Sequence, residues 1–285
     1  MTVEGLEVSV DGGTLAAWKL DGADGAPEVL AIHGMTSTSR SWLAVAAALG
    51  DRARLLAVDL RGRGASNPIG PPFGLDVHAA DMLAVLDAAG LERPVVVGHS
   101  LGAYVACRLA ALHPDRVARL VLVDGGLPIP GLTSVEAGTA TLGPAVERLR
   151  TEFADRAAHR DWRRAHPAFA HSDVDPATLD ALTDYDLCGE PPRLRSSINP
   201  QVVADDGRDL IGAGDAHRLA CDAVLLHAPL GMTGDPNPLQ PAAVVSAWVA
   251  GDPAHRRSSR VSGANHYSIV LGAAGAAAVA RELAT

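Results

Sequence analysis

The 285-residue chain predicts an α/β protein: a mostly parallel central sheet flanked by helices, with an inserted helical cap. Three observations predict it. Short, continuous apolar runs recur at 29–33 (VLAIH), 55–60 (LLAVDL), 94–98 (PVVVG), 120–124 (LVLVD) and 223–227 (AVLLH). Longer segments with helical apolar spacing separate them, at 75–89, 101–113 and 240–250. Strands that read as unbroken apolar runs belong to parallel sheets covered on both faces. The third observation is that 128–217 breaks this rhythm, being rich in Arg, Asp, His and Pro with helical spacing throughout. It reads as a cap set into a core made of 1–127 and 218–285.

Composition excludes several functions. The formal charge of −9 offers no basic face to neutralise phosphates, so no nucleic-acid partner is expected. Cys107, Cys188 and Cys221 are odd in number and widely spaced, which argues against a disulfide framework and fits a cytoplasmic setting. The opening MTVEGLEVSVDGG has neither a basic nor an apolar leader region, and no apolar run reaches membrane-spanning length, so no membrane insertion is expected. Arg61-Gly62-Arg63-Gly64 is not a dinucleotide fingerprint, and no phosphate-binding loop appears, so no cofactor is expected.

The elements follow in order. Residues 5–20 alternate around Asp11-Gly12-Gly13, a hairpin signal. The VLAIH run leads into His33-Gly34-Met35, and LLAVDL leads into 59–66 (DLRGRGAS). The PVVVG run ends in Gly98-His99-Ser100-Leu101-Gly102, and helix-like spacing begins at once. A serine on a sharp strand-to-helix turn has its hydroxyl exposed above the sheet, and flanking glycines let strand and helix approach. The Leu101 amide, at the helix start, is then free to donate to an oxyanion. Near the end, Arg260-Val261 reads as part of a last strand, and His266 follows in GANHYSIV.

These motifs, in this order, resemble the α/β-hydrolase superfamily, over the chain from about residue 5 to its end, the cap excepted. The resemblance implies a serine hydrolase with Ser100 as nucleophile and His266 as general base. It places the second oxyanion amide at Met35 and makes 59–66 a structural loop. The acid has two candidates. The frequent family slot after the AVLLH strand holds Gly231 here, so Asp235 serves only if its loop folds back. Asp124 ends the LVLVD strand, where other members carry the acid, and is preferred.

The expected substrate is a small carboxylic ester, lactone or thioester. Carbon–carbon bond hydrolysis, acyl transfer or cyclisation, cofactor-free perhydrolysis and ligand reception without catalysis are alternatives on the same residues. His33, Trp42 and Tyr267 are candidate pocket residues, with Tyr104, Trp162 and Phe169 weaker ones. His159, His166 and His171 lack a spacing that puts all three on one helix face, so no metal is expected. Arg160, Arg163 and Arg164 read as a solvated face.

Overall fold

A computed structural model describes residues 3–285, except for the side chains of 3, 139–142 and 144. Its main sheet contains β1 (Val3–Val10), β2 (Gly13–Leu20), β3 (Glu28–Ile32), β4 (Arg54–Val58), β5 (Val95–His99) and β6 (Arg119–Val123). Two short strands, β7 (Leu187–Cys188) and β8 (Arg195–Ser196), pair apart from it, and β9 (Ala223–His227) and β10 (Arg256–Arg260) complete it. The order is β1-β2-β4-β3-β5-β6-β9-β10. Among the described pairings of this main sheet, only β1–β2 and β2–β4 are antiparallel. The hairpin turns at Asp11-Gly12, with Gly12 at φ +86°, a conformation glycine adopts without strain.

Helices α1 (Leu43–Leu49), α2 (Leu75–Ala89) and α3 (Leu101–Leu112) alternate with the central strands. Between β6 and β9 lie α4 (Val135–Leu142), α5 (Pro144–Arg148), α6 (Arg156–Ala165), α7 (Pro167–Ala170), α8 (Pro176–Tyr185) and α9 (Gln201–Leu210), together with the β7–β8 ribbon. Then come α10 (Ala242–Ala250), α11 (Ser268–Leu271) and α12 (Ala273–Leu283).

The apolar strands divide their side chains between two layers. Leu30, Ile32 and Val96 pack with Met82, Leu109 and Trp248 from α2, α3 and α10. Val29, Ala31, Val95 and Val97 pack on the other face with Val45, Ile269 and Val279 from α1, α11 and α12. Period-two alternation with both faces covered is why these strands carry polar residues only at their ends. The edge strand β10 reads RRSSR and is mostly exposed. The last strand therefore lies at 256–260, not at 260–261, and its polarity hides it from an apolar scan.

The helical segment between β6 and β9 is fastened to the loops at the carboxyl ends of the strands. Asp206 of α9 accepts from the Gly74 N–H at 2.8 Å and from His78 Nε2 at 3.0 Å, and pairs with Arg63. The Tyr185 hydroxyl donates to Asp59 at 2.5 Å. Asn265 Nδ2 donates to the Ala168 carbonyl at 2.8 Å.

Candidate active site

Ser100 sits between the end of β5 and the start of α3 with φ +54° and ψ −121°. Its N–H donates to the Val123 carbonyl at 3.0 Å, which ties the turn to the end of β6. A Cβ on Gly98 would lie 2.1 Å from the Gly102 carbonyl oxygen, and one on Gly102 would lie 2.1 Å from that of Ile32. Strand, turn and helix approach so closely that both positions require glycine.

His266 follows β10 in a buried loop. Its Nδ1–H donates to Asp124 Oδ2 at 2.7 Å. That bond fixes the tautomer, leaving Nε2 as the lone-pair nitrogen of a ring that borders the same cleft as Ser100. Asp124 follows β6 with φ +45°. Its other oxygen accepts the Ala228 N–H at 3.0 Å, and its own N–H donates to the Leu226 carbonyl at 2.8 Å. Ser100 and Asp124 are the only non-glycine residues at positive φ among the described residues. Backbone strain of this kind persists where the surroundings over-determine it, as at reactive sites.

His99 packs against His266: its Nε2–H donates to the His266 carbonyl at 2.8 Å, with the two ring centroids 4.8 Å apart. Burial holds its pKa well below the usual imidazole range, so it acts as a neutral donor.

The Gly34–Met35 loop lies against Ser100, since a Cβ on Gly34 would be 3.2 Å from Ser100 Cβ. His33 Nδ1–H donates to the Gly34 carbonyl at 2.8 Å, and Nε2 accepts the Leu60 N–H at 3.0 Å. Burial lowers the His33 pKa to about 4, matching this neutral form. Arg63 Nε donates to the Met35 carbonyl at 3.2 Å. Leu101 opens α3, so its N–H has no intrahelical acceptor.

The cleft divides at Met35, Ser100, Met232 and His266, which line both of its parts. One part runs past Arg148, Trp162, Arg163, His166, Phe169 and Tyr267. The other is apolar, bounded by Ile129, Leu132, Val135, Val203, Leu210 and Leu239.

A family model for the alpha/beta hydrolase fold matches residues 27–159. The chain is 38% identical over 170 residues to lipase LipV of Mycobacterium tuberculosis, covering 60% of this chain and 61% of that protein. It thus spans about three-fifths of that relative's length. The structure superposes on that of E-2-(acetamidomethylene)succinate hydrolase with a TM-score of 0.79 at 21% identity, over 95% of this chain and 94% of the other. A hypothetical protein of Pseudomonas aeruginosa PAO1 superposes at 0.74 with 26% identity, over 99% and 98%. The chain belongs to the α/β-hydrolase superfamily.

In this α/β-hydrolase the two acid candidates separate clearly. Asp124 meets His266, whereas Asp235 is engaged within its own turn. Asp235 accepts from Thr233 Oγ1 at 3.0 Å and from Asn237 N and Nδ2 at 2.9 and 3.0 Å. Tyr267 lines the cleft, as do Tyr104, Trp162 and Phe169. Trp42 and His33 do not. Trp42 is fully buried in the layer with α1 and α12, and His33 holds the Gly34 loop from behind.

Arg163 departs from the solvated face expected of it. Arg160 and Arg164 do pair outward, with Asp184 and Asp180 of α8, but Arg163 is buried and lines the cleft. No group of three His, Cys, Asp or Glu side chains suited to a metal occurs among the described residues. His159 instead packs on Phe153 at 4.3 Å, with burial lowering its pKa to about 3. No helix among the described residues is long and apolar enough to cross a membrane.

Sequence reasoning passed over His99, Arg63 and Arg148. The first two stand inside recognised motifs, GHSLG and DLRGRG, so their positions were visible although their contacts were not. Nothing local marks Arg148, whose role follows from where the cap folds.

Proposed function

We propose that this protein is a serine hydrolase that cleaves a small carboxylic ester, lactone or thioester through an acyl-enzyme on Ser100. The observation that carries the reading is the 2.7 Å bond from His266 Nδ1 to Asp124. It holds the imidazole with Nε2 free on the cleft side, the form a general base needs. His266 takes the Ser100 proton as Oγ attacks the acyl carbon. The Met35 and Leu101 amides donate to the oxyanion, each worth about 3 kcal/mol in the transition state. The leaving group departs with the proton from His266, and water, activated by the same imidazole, releases the acid. The likeness to a lipase supports ester chemistry.

The test is hydrolysis of para-nitrophenyl butyrate with intact-protein mass taken during the first turnover. Wild-type protein is expected to gain the mass of one butyryl group and to turn over, and Ser100→Ala to do neither. Turnover that survives in Ser100→Ala would overturn the reading.

A further inference from the structure

Three of the four arginines of α6, Arg160, Arg163 and Arg164, have different surroundings. Arg160 and Arg164 meet carboxylates of α8, and both are partly exposed. Arg163 is buried to 8% exposure, has no ion-pair partner among the described residues, and keeps a buried Nε–H without an acceptor. Its guanidinium carbon lies 5.8 Å from the centroid of Phe169, which lines the same part of the cleft. Burial lowers its pKa to about 10, which leaves it charged at neutral pH. A cation withdrawn from water without a counter-ion is unfavourable, and an anion entering beside it regains what was lost.

Two neighbours extend the donor set. Arg148 is already neutralised by Asp186 and donates to the Thr36 carbonyl at 2.7 Å, so it adds donors and no second unpaired charge. His166 Nδ1 accepts the Ala168 N–H at 3.1 Å, and burial beside the two arginines lowers its pKa to about 4. The ring is therefore neutral with its proton on Nε2, a further donor bordering the cleft. Among the described residues, no acidic side chain lines either part of the cleft.

Across Ser100 the surroundings change completely, because the second part is bounded by aliphatic side chains. We propose that Arg163, with Arg148 and His166, forms a carboxylate-binding subsite, so that the preferred substrate carries a carboxylate on one side of the scissile acyl bond and an apolar group on the other. This rests on the serine-hydrolase reading above. A guanidinium presents paired donors matched to a carboxylate, and it lies across the serine from a mostly aliphatic wall.

The experiment uses matched ester pairs that differ only in charge. Mono-para-nitrophenyl glutarate is compared with its methyl ester, and para-carboxyphenyl hexanoate with phenyl hexanoate. The pairs place the charge on the acyl side and on the leaving-group side in turn. In one of the pairs wild-type protein is expected to favour the anion in kcat/KM by about tenfold to a hundredfold, the range of a charge-assisted hydrogen bond. Arg163→Gln is expected to abolish that preference while neutral esters are still cleaved. Arg163→Lys should keep part of it, and Arg164→Met should keep all of it.

Calorimetric titration of monobutyl glutarate into Ser100→Ala protein reads the subsite without turnover. Binding that weakens about tenfold or more on adding Arg163→Gln supports the subsite even if every ester is refused, in which case only the hydrolase reading fails. Neutral esters cleaved as well as anionic ones in both pairs, or binding indifferent to Arg163→Gln, would overturn the subsite and leave the hydrolase reading standing.

Discussion

Asp124 uses both carboxylate oxygens: Oδ2 accepts from His266 Nδ1 at 2.7 Å and Oδ1 accepts from the Ala228 N–H at 3.0 Å. The second contact matters as much as the first. It anchors the carboxylate to the end of β9, so the position of the imidazole is set by two neighbouring strands rather than by a loop. Asp235, on the loop beyond β9, has its oxygens occupied by Thr233 and Asn237.

An Asn at position 124 keeps its oxygen for Ala228 but turns an N–H toward Nδ1. The imidazole must then carry its proton on Nε2 and ceases to be a base. Asp124→Asn is expected to lower kcat by a factor on the order of 10⁴ with the fold retained. Asp235→Asn is expected to stay within about threefold of wild type. Steady-state kinetics with circular dichroism on both variants decides between them, and a larger loss in Asp235→Asn would reverse the assignment.

Arg63 joins the Gly34–Met35 loop to α9. It is fully buried, holds the Met35 carbonyl at 3.2 Å and pairs with Asp206 of α9. Burial alone would push the Asp206 carboxyl up, yet Arg63 and His78 outweigh it and hold it far below the usual carboxylate range. Removing one partner strands the other, so Arg63→Met is expected to cost about 3–5 kcal/mol in urea unfolding. Arg63→Met with Asp206→Leu removes the stranded charge and is expected to be milder than the sum of the single changes. Strict additivity in that cycle would mean the pair does not couple cap to core.

Acid lability follows from the buried histidines. Burial lowers His33 and His166 to about 4, and His159 to about 3, from an ordinary 6.5. Below pH 6.5 the unfolded chain takes up protons that the folded chain refuses, so stability falls as pH drops from 6.5 toward 4. At pH 5 His33 alone accounts for about 2 kcal/mol. Urea unfolding at pH 7 and pH 5 should therefore show a drop of at least that size, and equal midpoints would contradict neutral burial of these rings.

Legibility in the sequence tracked how local each determinant is. The Ser100 turn is written in five consecutive residues because strand, glycines and helix must all be adjacent, and the central strands announce themselves because both faces are apolar. β10 is an edge strand with solvent on much of its surface, so RRSSR carries no apolar signal. The choice between Asp124 and Asp235 depends on long-range folding: His266, 142 residues on, meets Asp124, and the 231–237 turn closes on Asp235. Arg163 was read as solvated because arginines close together on one helix usually share a face. What separates it is the position of α8, which offers carboxylates to two of them and leaves the third turned inward.

Gly207 tests the apolar part of the cleft. It lies within α9, lines that part of the cleft, and a Cβ placed on it meets nothing within 4 Å. Glycine inside a helix is unfavourable relative to alanine by about 1 kcal/mol, so Gly207→Ala is expected to raise Tm by roughly 2–4 °C. A longer side chain at the same position is expected to take up space in the apolar part that Gly207 borders. Gly207→Leu is therefore expected to cut kcat/KM for para-nitrophenyl octanoate about tenfold while leaving the acetate nearly unchanged. A matched loss on both esters would mean that the substitution disturbs α9 and its Arg63 contact, because only a steric block within the cleft discriminates by chain length.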